Sequence, residues 1–488
     1  MAANDELTMV HLGNTYLEHP MSVNKDPGFL KLLDLLRGAD AAVANMECTI
    51  HDGDDWPAYG GGMGWAGTYM PAPPSMIDEL KLLGIDAVYA ANNHTPDFAE
   101  GGILTTVKYL REKGMPYSGI GASLTEASAP CFVESTSGRV AIISACDWGP
   151  RLMMELPFPW PAGFMPSDEL PPFKSRPGVN LVRYEAVVHV DQAAFDQLRR
   201  ISNEMQWERG KVGRRGGGVR TETLVGPSLI NYEVDTDTEF FFMGRKFVLD
   251  NEFKLTTWAF EEDLERMYKV VGEARRQADV VIFGLHDQSH AHGVADFIDT
   301  LAHGVIDAGA DLYINHGGRS RGIEFYQGKP IVYGMPGFDL QQQLTRRLPA
   351  SMLQRLGLPM TASPHELLDV RAAGRAEAAK AGGFLPPGGP TPEPRVVMEA
   401  AFHPGGAFKE IRLHPVGAPL IQSAFPRRGV PRLLDAGSEE SNAALEHAVE
   451  LSKPFGTVVE VRDGVGIVQA PKDAATGGVP QREQAGIG

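Results

Sequence analysis

Short apolar runs alternate with amphipathic stretches along most of the chain, and this alternation constrains the fold more than any other feature. The runs have the length of buried strands, and each ends in a polar cluster. The stretches between them carry apolar residues three and four positions apart, as in helices that pack on a sheet. Strands alternating with such helices predict βα units and an α/β fold with a helix-covered sheet. The predicted strands are 7–12, 41–46, 85–91, 140–145, 280–285, 312–314 and 331–332, and the predicted helices include 29–36, 76–83, 104–113 and 297–306.

The alternation stops near Asp147 and resumes near Glu262, which predicts the domain organisation. The gap begins with a proline-rich stretch, which helix interiors and central strands exclude. We therefore predict a core made of 1–150 and 261–345, with 151–260 as an insertion or cap. A helical segment and linker, 346–394, leads to a β-rich part, 395–470, predicted to pack on the core, and 471–488 reads as a disordered tail.

Charge and composition narrow the class of partner. The 488 residues carry a formal net charge of −17, which disfavours a nucleic-acid binder because such proteins neutralise phosphates. Three widely spaced cysteines argue against a disulfide framework and for a reducing compartment. The sequence shows neither a secretory signal nor an apolar stretch of membrane-spanning length, so we expect a cytoplasmic protein that does not bind membranes. A small-molecule substrate is the expected partner, and a homo-oligomer remains open.

Five clusters of Asn, His and carboxylate residues follow predicted strands and would converge on one rim of the sheet. Imidazole, carboxylate and amide oxygen form a ligand set that suits Zn, Mn or Fe, and strand ends hold such ligands rigidly. Each cluster also has an ordinary explanation, such as a capped turn or an exposed loop. The clusters contain Asn14; Asn45 and Glu47; Asn93, His94 and Asp97; His286, Gln288, His290 and His292; and His316 and Arg319.

The order of these clusters resembles the CapA family, named for poly-γ-glutamate capsule synthesis, whose domain has a metallophosphoesterase-like fold. The matching motifs are Asn45-Met46-Glu47, Ala91-Asn92-Asn93-His94 with Asp97, Gly309-Ala310-Asp311, Gly322-Ile323-Glu324 and Gly328-Lys329-Pro330-Ile331. The resemblance implies a four-layer α/β/β/α sandwich with the inserted cap and a C-terminal extension. It also implies a divalent metal (Zn, Mn or Fe) held by Glu47, Asn93, His94, His286 and His316. His94, oriented by Asp97, is then the candidate general acid or base.

The chain departs from the family pattern at several expected ligands. Asn14 stands where the family has its first metal-binding Asp, so an oxygen able to bridge two metals is lost. Around Gln288 and Gly318 the chain also lacks histidines that the family carries. We therefore predict a reduced site with one metal per chain. The residues predicted to contact substrate are Asn14, Gln288, His290, His292, Arg319 and, from the cap, Trp160.

These features favour a metal-dependent hydrolase that acts on a small organic substrate, at a phosphoester or an amide or ester bond. The alternative is a poly-γ-glutamate capsule synthesis accessory, or another protein that binds a ligand without catalysis. A metal-dependent lyase on the same scaffold is a further alternative.

Overall fold

A computed structural model describes most of the chain, with side chains. The described residues are 6–53, 69–148, 165–172, 174–205, 235–242, 245–289, 293–317, 319–342, 350–380, 394–418, 420–421 and 427–471.

The helices of the described residues are α1 (Pro27–Gly38), α2 (Ser75–Leu83), α3 (Ala99–Glu112), α4 (Leu124–Ser128), α5 (Gln192–Glu204), α6 (Glu261–Arg275), α7 (Asp296–Asp307), α8 (Ala350–Arg355), α9 (Pro364–Lys380) and α10 (Glu439–Ser452). Local chemistry explains where they begin. At α1, for example, the Asp26 carboxylate accepts from the backbone N–H groups of Gly28 and Phe29, and Pro27 takes the first position.

The strands are β1 (Leu7–Tyr16), β2 (Ala41–Met46), β3 (Thr49–Ile50), β4 (Pro71–Ala72), β5 (Ala87–Tyr89), β6 (Tyr117–Ser118), β7 (Ile120–Gly121), β8 (Cys131–Glu134), β9 (Arg139–Trp148), β10 (Gly178–Val179), β11 (Leu181–Val190), β12 (Glu239–Phe242), β13 (Arg245–Leu249), β14 (Lys254–Ala259), β15 (Val280–His286), β16 (Leu312–His316), β17 (Ile323–Tyr326), β18 (Lys329–Val332), β19 (Asp339–Leu340), β20 (Arg395–Phe402), β21 (Phe408–Gly417), β22 (Leu420–Ile421), β23 (Arg427–Arg428), β24 (Arg432–Leu433), β25 (Val459–Arg462) and β26 (Val465–Val468).

Two mixed sheets dominate the described part of the chain, so the expected α/β class is confirmed. The first sheet has the order β25-β26-β21-β20-β1-β2-β5-β6, and β20 runs antiparallel to β1. The second has the order β12-β13-β11-β9-β15-β16-β18-β17, and β9, β15, β16 and β18 run parallel. β11, which lies in the range predicted as a cap, pairs with β9 and extends this sheet.

Side chains of the central strands alternate between two apolar clusters, as the period of two in a strand requires. In β1, Val10 and Leu12 belong to a cluster with α1, α2 and α3. Leu7 and Met9 of the same strand belong to a second cluster, which also holds Ile142 of β9 and other residues of the second sheet. Alternate residues of the second sheet pack with α6 and α7 in a third cluster. Asn14, His286 and His316, which were predicted for the site, lie at or near the carboxyl ends of β1, β15 and β16.

Candidate active site

A bulge in β1 places the first polar side chain of the site. The register between β1 and β2 shifts between Leu12 and Asn14, so that Asn14 pairs with Asn45. Gly13 permits this bend, because a Cβ there would lie 1.9 Å from the carbonyl oxygen of Pro336. As a result the Asn45 amide donates to Asn14 Oδ1 at 2.8 Å.

His286, at the end of β15, is the most connected side chain of the site. Asn45 Nδ2 lies 3.1 Å from its Nδ1, while Asn93 Oδ1 lies 2.6 Å and Gln288 Nε2 2.9 Å from its Nε2. Asn45 donates to Nδ1, so in the neutral ring Nε2 carries the proton and donates to Asn93. A protonated Nε2 cannot also accept from Gln288, so the carboxamide oxygen of Gln288 must face the ring, or the proton must be replaced by a cation.

The loop after β5 fixes His94. Asn92 Oδ1 accepts from the backbone N–H groups of His94 and Thr95, both at 3.0 Å, which closes an Asx turn. Asp97 Oδ2 then lies 2.9 Å from His94 Nδ1 and accepts from the backbone N–H of Met70 at 2.8 Å. His94 Nδ1 therefore donates to Asp97, so the lone pair of the neutral ring lies on Nε2.

Glu47 is a buried carboxylic acid with one oxygen that has no protein partner. The residue is 7 % exposed, Oε1 lies 3.8 Å from His286 Nε2, and Oε2 has no hydrogen-bond partner. Burial raises its pKa to about 7, and His94 opposes this only in part. Protein groups thus do not compensate the ionised form of Glu47.

β16 brings a second histidine beside His286. His316 pairs with His286 in the parallel register, and its ring lies 4.6 Å, centroid to centroid, from that of Tyr89. Its Nε2 is buried without a partner, and burial holds the pKa of the imidazole well below its usual value. The ring is therefore neutral, which is the form that binds metals. Both amide atoms of the preceding residue, Asn315, are also buried without partners.

Gly317 lets the backbone after β16 approach the ring of His286. Its φ is +86°, and a Cβ at this position would lie 2.8 Å from both His286 Cε1 and the carbonyl oxygen of Asp287. Glycine is thus required here for two reasons: the left-handed conformation and the contact with the imidazole.

The segment after β15 is held by charges behind the site. Asp287 accepts from Arg321 Nη1 at 2.7 Å and from the Ser289 hydroxyl at 2.6 Å. Burial alone would raise the pKa of Asp287, but Arg321 and Ser289 lower it below its usual value. The Gln288 backbone N–H donates to Asp147 Oδ1 at 2.8 Å, which ties this segment to β9.

The structure thus brings together most of the residues predicted for the site. Asn14, Glu47, Asn93, His94, Asp97, His286, Gln288 and His316 are gathered at the strand ends, whereas the Arg319 side chain is exposed. Trp160, His290 and His292 lie outside the described residues. Asn45 and Asn315 lie at the same strand ends, although neither was predicted as a ligand or a substrate contact.

The donors at these strand ends fit a divalent metal only if amide oxygens take part. Glu47 Oε2, Asn45 Oδ1 and His316 Nε2 are buried atoms without partners, and this mixture of oxygen and imidazole nitrogen suits Zn, Mn or Fe. Among the described residues, however, the group of three His and carboxylate side chains whose ligand atoms all lie within 4.8 Å is Asp299, His303 and Glu324, away from these strand ends.

The family model for the bacterial capsule synthesis protein PGA_cap matches residues 6–339, which include every strand end described above. The chain belongs to this family. The expected CapA resemblance is therefore confirmed.

Two relatives extend the similarity along the chain. The uncharacterized proteins y4sH and y4uA of Sinorhizobium fredii are each 29 % identical to it, over 95 % of this chain and 93 % of their own length. Among the described residues of this capsule synthesis family member, no helix has the length and apolarity needed to cross a membrane.

Proposed function

We propose that this member of the capsule synthesis family is a metal-dependent hydrolase with one metal per chain, built as a four-layer α/β/β/α sandwich. The observation that carries the proposal is the set of buried polar atoms without protein partners on Glu47, Asn45 and His316. Leaving such atoms unpaired costs about 1–3 kcal/mol each, so a protein that needs only stability would replace them. A cation bound at these strand ends would offer such atoms a partner. The sharing of one apolar cluster by both sheets, with helix-packed clusters outside, supports the layered architecture.

Glu47, Asn93, His286 and His316 would hold the metal, with Asn45 as an additional oxygen ligand. His94, the fifth predicted ligand, binds Asp97 through Nδ1 and would act through Nε2 in proton transfer rather than on the metal. A divalent ion in such a place lowers the pKa of water and polarises a carbonyl or phosphoryl oxygen. Asn14 would bind substrate or water through its amide, since it lacks the charge needed to bridge a second ion. Gln288 lies beside His286 and would bind substrate at the same edge.

His94 and Asp97 form the proton-transfer pair of the proposed reaction. Asp97 holds Nδ1 at 2.9 Å, which fixes the ring and its tautomer. Nε2 would accept a proton from attacking water and return it to the leaving group. The expected substrate is a small organic molecule with a phosphoester, amide or ester bond.

Metal analysis and a substrate screen test the proposal together. Purified protein should contain about one equivalent of Zn, Mn or Fe, and chelation should abolish hydrolysis of at least one class among phosphoesters, esters and γ-glutamyl amides. Glu47→Gln should lose both metal and activity, whereas Glu112→Gln, which alters an exposed carboxylate of α3, should lose neither. Asp97→Asn should lower kcat at unchanged metal content. Metal-free protein after reconstitution with all three ions, or full activity in Glu47→Gln, would refute the proposal.

The second candidate is a capsule synthesis accessory that binds polymer or partner proteins without catalysis, and the family description favours it. It predicts binding of poly-γ-glutamate that survives chelation and the Glu47→Gln substitution. The hydrolase proposal instead predicts turnover that is lost on chelation and in the Glu47→Gln variant.

A further inference from the structure

A second group of polar side chains lies between α7 and the edge strand β17, outside the strand-end site. Asp299 and His303 lie one turn apart on α7, and Glu324 lies on β17. His303 Nε2 is 3.2 Å from Glu324 Oε1 and 3.9 Å from Asp299 Oδ1. The three ligand atoms all lie within 4.8 Å of one another.

These separations match those in a metal shell. Zinc bonds to nitrogen and oxygen are about 2.0–2.2 Å long, so tetrahedral ligand atoms lie roughly 3.4 Å apart. The distances from His303 Nε2 to Glu324 Oε1 and to Asp299 Oδ1 lie on either side of this value. Small side-chain rotations would therefore bring the three atoms to the spacing of metal ligands. One imidazole and two carboxylates form a ligand set that zinc accepts.

The surroundings hold the donors in place. Tyr326 stacks on the His303 ring with centroids 4.1 Å apart and planes inclined by 18°, which directs Nε2 toward the carboxylates. The Tyr333 hydroxyl lies 2.8 Å from Glu324 Oε2 and 3.1 Å from Asp299 Oδ1. The hydroxyl thus holds both carboxylates beside His303.

Access and connectivity also suit a metal. The side chains of Asp299, His303 and Glu324 are 31 %, 23 % and 14 % exposed, so an ion can enter and keep a water ligand. β17 is the last strand of its sheet and pairs only with β18 among the described strands. An ion bound here would tie this edge to α7, and Tyr333 would orient Glu324 through its second oxygen.

We propose that Asp299, His303 and Glu324 form a zinc site that fastens α7 to the edge of the second sheet. The site is independent of the proposed hydrolase centre and shares no residue with it. Its role is structural, because the first consequence of binding is a link between a helix and a strand.

Zinc titration of chelator-treated full-length protein, followed by calorimetry, tests the site. His303→Gln and Glu324→Gln should each bind one equivalent fewer than the wild type, and should lose the zinc-dependent rise in melting temperature. His365→Gln removes an exposed histidine at the start of α9 and should titrate like the wild type. Tyr333→Phe should weaken binding by about tenfold without removing the equivalent, because it loses only the hydroxyl that contacts Glu324 and Asp299 and no ligand atom.

Two further measurements keep failure of this site distinct from failure of the hydrolase proposal. Glu47→Gln should keep this equivalent of zinc, whatever it does to the strand-end metal. X-ray absorption at the zinc edge of Glu47→Gln should show one nitrogen neighbour and at least two oxygens, with no sulfur. Unchanged stoichiometry in both His303→Gln and Glu324→Gln, with native circular dichroism, would overturn the proposal, since a hydrogen-bonded His–carboxylate network alone predicts that result.

Discussion

At the scale of single residues, the site contains polar groups that cost stability. Glu47 is the clearest case, because burial raises its pKa to about 7 from an ordinary value of 4.5. Between these values the folded protein keeps a proton that the unfolded chain has released. The free energy of unfolding therefore falls as pH rises through this window, by about 3 kcal/mol in the metal-free protein.

Glu47→Gln should remove this pH dependence, because glutamine mimics the protonated acid. We expect the metal-free variant to match the wild type near pH 4.5 and to exceed its stability above pH 7, as measured by urea unfolding after chelation. Glu112→Gln, at an exposed position, should keep the wild-type slope. A Glu47→Gln variant that still loses stability over this pH range would show that another group causes the slope.

Asn315 leads to a second prediction at this scale. Both of its amide atoms are buried without partners, so Asn315→Leu should raise the free energy of unfolding by about 1–3 kcal/mol while lowering metal content or activity. Asn180 is the matched control, since it is also buried but donates to Ser144 O at 2.9 Å. Asn180→Leu should destabilise the protein. Urea unfolding of both variants checks the contrast, and a loss of stability in Asn315→Leu would mean that its amide has an essential protein partner.

At the scale of elements, glycines after strands control how closely the backbone approaches the site. Gly317→Ala should displace the His286 ring, because the new Cβ would lie 2.8 Å from it, and should reduce metal binding and activity at least tenfold. Gly328→Ala imposes a similar strain, at φ +75°, with no atom within 4 Å. It should cost only about 1 kcal/mol of stability and leave activity intact. Measurements of metal content and turnover in the two variants distinguish the effect of the Cβ contact with His286 from that of backbone strain. Equal losses in both variants would assign the effect to strain alone.

The elements themselves could largely be predicted from sequence, because their apolar periodicity is local. The predicted strand 41–46 coincides with β2, and the predicted helix 76–83 nearly coincides with α2. β11 was missed, since it follows a proline-rich stretch and only its pairing with β9 makes it part of a sheet. The strand-end residues were found because parallel strands bring their ends together. The group of Asp299, His303 and Glu324 was not predicted, because these residues come together only when α7 packs against β17.

At the scale of the whole molecule, the fold extends beyond the part that the family model matches. That match ends at residue 339, yet β20 pairs with β1 in the middle of the first sheet. Met398, Ala400 and Phe402 of β20 belong to the apolar cluster that both sheets share. The relatives y4sH and y4uA, which match 95 % of the chain, are similar through this region as well. The C-terminal strands therefore complete the core that positions Asn14.

Truncation tests this dependence. A chain ending at residue 393 should be insoluble or aggregated, because β1 would become an edge with unpaired backbone groups and an exposed apolar face. A chain ending at residue 471 keeps every described strand and should melt within about 2 °C of the full-length protein, since a change below roughly 1 kcal/mol moves the midpoint of a chain this size by no more than that. Soluble yield and thermal unfolding of the two truncations give the comparison. A soluble 1–393 fragment with cooperative unfolding near the full-length temperature would show that residues 6–339 fold without β20, and that the C-terminal strands only cover a core already formed.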